Sequence, residues 1–183
     1  LTGFLAAFIN VRISAPIVAG IGLAATFGGA GVTAQLGAMR INEEIDALEA
    51  MGIRPIEYLV STRIVAGMIA ITPLYSIAVI LSFLASQFTT VVLLGQSAGL
   101  YAHYFETFLN PIDLLWSFLQ AVLMALAILF IHTYYGYFAT GGPSGVGVAV
   151  GTAVRTSLIV VVSVTLLISL AVYGANGNFN LSG

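Results

Sequence analysis

Three observations predict an all-α integral membrane protein: four transmembrane helices and a short amphipathic helix between the first two. The first is composition: 60% of the 183 residues are apolar, 7% are charged and the mean hydropathy is +1.08. Ordinary soluble domains carry roughly 25% charged residues. The second is length. With His taken as neutral, stretches 13–39, 64–104, 114–154 and 156–183 carry no charge, and each exceeds the ~20 residues a helix needs to cross about 30 Å of hydrocarbon. The third is pattern: none of these stretches alternates with the period of two that a barrel strand requires, and Leu, Ile, Val and Ala interspersed with Gly suit packed helices.

The first span covers about 13–36, "ISAPIVAGIGLAATFGGAGVTAQL", and can extend back through 4–10 past Arg12 and Pro16. Its glycines Gly20, Gly22, Gly28, Gly29 and Gly31 let another backbone approach closely. The "GGAG" within it resembles a phosphate-binding loop only superficially, because no strand precedes it. The second span runs over about 64–94, with a kink predicted at Pro73. Residues 95–112 read as a loop with a short interfacial helix rich in Tyr and Phe. The third span covers about 114–138. "ATGGPSGVGVAVG", 139–151, reads as a turn from its Gly and Pro, and the fourth span as 156–173. Arg40, Arg54, Arg63 and Arg155 fall on one side of the spans and Arg12 on the other. Four against one places 40–63 in the cytoplasm, with 95–112 and the C-terminus facing outward.

The chain has no Cys and no Lys, which excludes disulfides, thiolate metal sites, Schiff-base chemistry and a Walker A loop. If ATP drives this protein, a separate ATPase chain binds the ATP and Mg and hydrolyses it, and no cofactor is expected in this chain. Basic patches for nucleic acid are absent. Because it opens at Leu1 inside an apolar stretch, the sequence is expected to be a piece of a longer protein.

Charge is concentrated where it is least expected. "RINEEIDALEAMGIRP", 40–55, holds six of the twelve charged side chains. A helical wheel gathers Ile41, Ile45, Leu48, Met51 and Gly52 on one arc and sets Asn42, Glu43, Asp46 and Glu49 largely opposite, with Glu44 flanking the apolar arc. This predicts a helix of about three turns, with Asn42 as N-cap, Glu43 and Glu44 in the first turn, and Gly52 as its stop. Pro55 then suits the first turn of the next helix. An interfacial helix carries Lys and Arg toward anionic lipid. This one carries acids, so its face fits a protein partner better.

Thr33 to Arg63, "TAQLGAMRINEEIDALEAMGIRPIEYLVSTR", closely resembles the signature of the MlaE/YrbE-type permeases, membrane subunits of ABC lipid transporters that work with MCE proteins. Gly37, Met39, Arg40, Glu43, Glu44, Ile45, Asp46, Ala47, Leu48, Met51, Gly52, Pro55, Tyr58, Leu59, Val60 and Arg63 match it. The Gly-rich run before the last span resembles the YrbE permeases of Mce lipid importers. Gln35 departs from an expected Glu, Asn42 from Ser or Thr, Arg54 from Asp or Asn, and Thr62 from Pro.

The resemblance implies a single permease domain over 1–183, lacking the family's N-terminal amphipathic helix and first span, with residues 40–53 as the cytoplasmic coupling helix. It implies that Arg40, Glu43, Glu44, Ile45, Asp46, Leu48 and Met51 contact the ABC ATPase, and that Phe8, Ala15, Val18 and Gln35 line the lipid path. The implied partners are that ATPase, a second related permease (a heterodimer, given Gln35), MCE proteins on the outer side and a lipid substrate. The implied location is the bacterial inner membrane, as a multi-pass protein importing lipid.

Two alternatives come from other residues. His132 inside the third span, or the His103/Glu106 pair at i, i+3 with Asp113 nearby, would serve a lipid-modifying enzyme. A non-transporting scaffold would use the glycines alone. No nucleophile with a base and orienter appears at recognisable spacing, so neither a catalytic nor a metal residue is assigned. For His132, a neutral ring hydrogen-bonded to a neighbouring helix outweighs a ligand or proton relay.

Overall fold

The computed structural model describes residues 2–25 and 27–174. Among these it is helical almost throughout, with no strand, and four helical stretches are long and apolar enough to cross a membrane: Leu5–Ile41, Ile56–Leu93, Pro111–Tyr137 and Gly142–Ala171. The predicted all-α membrane architecture is therefore the one observed.

The first span is segmented. α1 (Thr2–Ile9), α2 (Ala15–Ala25) and α3 (Val32–Ile41) are separated by π-helical turns at Asn10–Ser14 and Phe27–Gly31. α4 (Glu44–Ala50) follows, then the second span, made of a π turn at Ile56–Val60, α5 (Ser61–Phe88) and a further π turn at Thr89–Leu93. Pro73 lies inside α5 without ending it. The short helix foreseen within 95–112 is α6 (Ala98–Phe108), packed on α1. α7 (Pro111–Tyr137) begins as its sequence dictates. Pro111 occupies the first turn, where its missing N–H costs nothing, and the Asn110 side chain accepts a hydrogen bond from the Ile112 N–H at 3.0 Å.

The last span starts earlier than its sequence suggested. α8 covers Gly142–Ile168, so most of the segment read as a turn is helical. Only the backbone around Gly141 and Gly142 turns, with φ of +89° and +71°, values that L side chains rarely adopt. Pro143 then opens the helix. One consequence is that Arg155 does not border a loop but stands well inside α8, exposed on its outer side.

α7 is the centre of the bundle, touching α2, α3, α5 and α8. The main core joins Ala15, Ala19 and Leu23 of α2 to Ile71 and Tyr75 of α5, Met124, Ile128 and Leu129 of α7, and Val161 of α8. Gly20 and Gly22 serve packing as expected. A Cβ on Gly20 would lie 3.2 Å from a Val161 methyl, and one on Gly22 3.7 Å from Leu74. α5 and α8 bury only 22% of their most apolar windows, leaving Ile69, Ile80, Leu84, Ile159 and Leu166 more than half exposed. Such broad apolar exposure is what a lipid-facing surface requires.

Candidate functional site

The charged segment forms an elbow between the first two spans. α3 ends at Ile41, where the Asn42 N–H reaches the Ala38 carbonyl at 3.0 Å. The chain reverses through Glu43, the only described non-glycine residue with positive φ (+61°), and α4 begins at Glu44. The helix is thus seven residues long and shorter than the three turns foreseen. Its N-cap position falls to Glu43, not Asn42, because the left-handed residue sets the reversal; the Asn42 amide instead donates to Glu44 Oε1 at 3.4 Å. The predicted stop is observed: Gly52 has φ +78°, its N–H reaches the Glu49 carbonyl at 2.9 Å, and the Ile53 N–H reaches the Leu48 carbonyl at 3.1 Å. This pair of bonds is a Schellman closure.

Tertiary packing divides the apolar arc. Ile45 is fully buried, clustered with Val32, Leu36 and Leu59, with Met39, Leu48 and Tyr137 packed around them. Burying an Ile side chain is worth about 1.5–3 kcal/mol, so Ile45 anchors α4 to its own spans. Its surface is unavailable to another protein, contrary to the role expected from the wheel, and Leu48 is half committed in the same way. Met51, by contrast, is 67% exposed. Glu43, Glu44, Asp46 and Glu49 face outward. Arg40 is held by Asp46, with Nη1 2.7 Å from Oδ1, and staples the end of α3 to α4. Beyond α4 an open groove of about 540 Å³ is lined by residues from Glu49 to Glu57, including Ile53, Arg54 and Ile56. The groove was not foreseen; Ile53 and Ile56 beside Gly52 and Pro55 were its only sequence signal.

The other nominated residues do not converge. Ala15 is fully buried in the core and Val18 is half exposed. Phe8 lies beneath Arg12, its ring centroid 4.1 Å from the guanidinium carbon. Gln35 is exposed at the elbow end of the span, its Oε1 3.5 Å from Arg63 Nη2. Asp113 pairs with Arg12 at 2.7 Å, and His103 stands edge-on to Tyr104. Among the described residues no group of three or more His, Cys, Asp or Glu comes together. His132 is fully buried, with Nδ1 2.7 Å from Thr33 Oγ1 and Nε2 3.3 Å from Ser157 Oγ. The expected bonds to neighbouring helices are observed; the two hydroxyls the ring meets, 99 and 25 residues away, were not identifiable from the sequence.

Four apolar spans around a buried core, with the chain's charge gathered at one elbow, define a multi-pass α-helical membrane protein. The sequence model of the permease MlaE family matches residues 1–171, and the chain belongs to that family. It is 30% identical over 154 residues to a probable ABC transporter permease protein of Rickettsia prowazekii, covering 84% of this chain and 59% of the relative. It is 28% identical over 157 residues to the chloroplastic protein trigalactosyldiacylglycerol 1 of Arabidopsis thaliana, covering 86% and 44%. With the intermembrane phospholipid transport system permease protein MlaE of Haemophilus influenzae it shares 25% identity over 174 residues, covering 94% and 66%. The chain thus spans less than two thirds of the length of these relatives.

Proposed function

We propose that this chain is the permease subunit of an ABC transporter that moves phospholipid-type lipids across the bacterial inner membrane, in the direction of import, together with MCE proteins on its outer side. The observation that carries this reading is the elbow. It sits in the segment that most closely resembles the family signature, projects four carboxylates and Met51, and adjoins a groove large enough to receive side chains of a partner. The relatives' names as ABC permeases and as a phospholipid transport permease support the same reading.

In this reading the ATPase seats against the exposed acids of α4 and Met51, while Ile45 and Arg40 keep α4 fixed to the spans so that a push on it moves the bundle. The elbow faces the cytoplasm, as the Arg distribution suggests. A second, related permease completes the lipid path, and Val18 and Gln35, both exposed, are the first-span residues placed to contribute to it. Ala15, enclosed in this chain's own core, is not. Because the chain carries no P-loop, hydrolysis belongs to the partner.

The test is Glu44→Lys combined with Glu49→Lys in the intact complex, scored by co-purification of the ATPase and by ATP-dependent transfer of fluorescent phospholipid between vesicles and the complex. Loss of both is expected. Unchanged association and transfer would sink the docking role of α4.

A further inference from the structure

We propose that Thr33, His132 and Ser157 form the fulcrum about which the inner part of the bundle moves during transport, with His132 as a positioning residue. The proposal rests on the permease reading above and names how motion at the elbow reaches the spans.

One imidazole ties three spans together. From α7, His132 reaches Thr33 in the first turn of α3 through Nδ1 and Ser157 of α8 through Nε2. All three residues have no exposed surface, and a buried polar group without partners is costly. Both hydroxyls also reach backbone carbonyls: Ser157 Oγ lies 2.9 Å from the Val154 oxygen, and Thr33 Oγ1 lies 3.0 Å from the His132 oxygen and 3.4 Å from that of Gly29. Each ring nitrogen therefore has a hydroxyl partner and each hydroxyl a carbonyl partner, and among the described residues no carboxylate is paired with the ring. These features fit a clamp.

The surroundings differ above and below the clamp. Toward the elbow, α3 is wedged tightly. A Cβ on Gly37 would lie 2.9 Å from Val146 Cγ1, and one on Gly136 2.9 Å from Leu36 Cβ and 3.0 Å from Thr33 Cα. Ile45 then seats α4 against the same segment. α3, α4 and the adjoining ends of α7 and α8 therefore form one close-packed unit. In the other direction the chain enters the π turn Phe27–Gly31 directly before α3, an interruption of the α-helical ladder of a kind that is frequent at functional sites and at helix kinks. A displacement of α4 is carried rigidly as far as Thr33 and absorbed in the turn beyond it. The clamp fixes the level at which that change occurs.

The experiment uses the intact complex with its ATPase, reconstituted in phosphatidylethanolamine/phosphatidylglycerol vesicles, and measures fluorescent phospholipid moved per ATP hydrolysed. Thr33→Val and Ser157→Ala are expected to keep ATPase co-purification and hydrolysis within about twofold of the wild type while lowering lipid moved per ATP by roughly 2- to 30-fold, the range of effects seen for coupling residues. Thr33→Ser, which restores the hydroxyl, should return the ratio to the wild-type value. An unchanged ratio in both Thr33→Val and Ser157→Ala overturns the proposal. So does a parallel loss of assembly, hydrolysis and transport in both, which is the mark of a plainly structural cluster. A wild-type complex that hydrolyses ATP but moves no lipid would instead refute the transport reading itself.

Discussion

Arg12 and Asp113, 101 residues apart, join the first span to the head of the third: Arg12 Nη2 lies 2.7 Å from Asp113 Oδ2 and Nε 3.3 Å from the same oxygen. The two side chains are only 21% and 18% exposed, and the guanidinium also lies over the Phe8 ring. Removing one partner from a shielded pair leaves the other charge poorly solvated, whereas removing both avoids that penalty. Arg12→Leu and Asp113→Leu should each destabilise the chain by about 1–3 kcal/mol, and the double variant by clearly less than their sum. Thermal unfolding in detergent across the four-member cycle checks this, and strict additivity would show that the pair contributes nothing as a pair.

Gly136 and Gly147 give opposite expectations for the same substitution. A methyl on Gly136 would press on Leu36 Cβ and on the Thr33 backbone at 2.9–3.0 Å, whereas one on Gly147 would meet nothing within 4 Å. Overpacking of that kind costs typically 1–3 kcal/mol. Gly→Ala in an open helix interior gains about 0.5–1 kcal/mol. Gly136→Ala should therefore lower the melting temperature and Gly147→Ala leave it unchanged or raise it. The reverse order would mean that α3 does not sit against α7 as described.

These particulars show what the sequence could and could not convey. Four spans were legible because composition and length alone separate lipid-soluble helices from everything else. Helix boundaries were less so. Gly and Pro in 139–151 read as a turn, yet in α8 Gly145, Gly147 and Gly151 are helical, because a bilayer leaves backbone groups no partner except one another. The apolar arc of 40–53 was visible, but amphipathicity says only that a face is covered, not by what. Leu36 and Leu59, which enclose Ile45, come from two different spans. For the same reason neither the Arg12–Asp113 pair nor the hydroxyl partners of His132 could be read, since each depends on helices distant in the chain.

At the elbow the backbone and the charge of Glu43 can be separated. A non-glycine residue held at φ +61° stores about 1–2 kcal/mol of strain. Glu43→Gly should hold or raise stability, and Glu43→Val should lower it by about that amount, because β-branched side chains tolerate this region least. Circular dichroism melts of the purified variants decide the matter. If Glu43→Val melts with the wild type, the reversal at Glu43 is not what joins α3 to α4. Charge reversal at Glu44, whose backbone is helical, is for this reason the cleaner probe of docking.

Arg155 lies thirteen residues past the start of α8 at Gly142 (155 − 142), about 20 Å along the helix at 1.5 Å per residue. It is exposed, and the three ion pairs found among the described residues do not include it. The seven acids are Glu43, Glu44, Asp46, Glu49 and Glu57 around the elbow, and Glu106 and Asp113 at the other end. None belongs to α8 or to the middle of any other span, so Arg155 has no carboxylate on its own helix to pair with. An anionic lipid headgroup contributes roughly 1 kcal/mol per Arg near a membrane surface, and a long Arg side chain inside a span extends toward the headgroups. In nanodiscs, replacing phosphatidylcholine by phosphatidylglycerol should raise the melting temperature of the wild-type chain more than that of Arg155→Leu, while in neutral detergent the two should melt together. An equal response to phosphatidylglycerol would mean that Arg155 takes no part in binding the anionic leaflet.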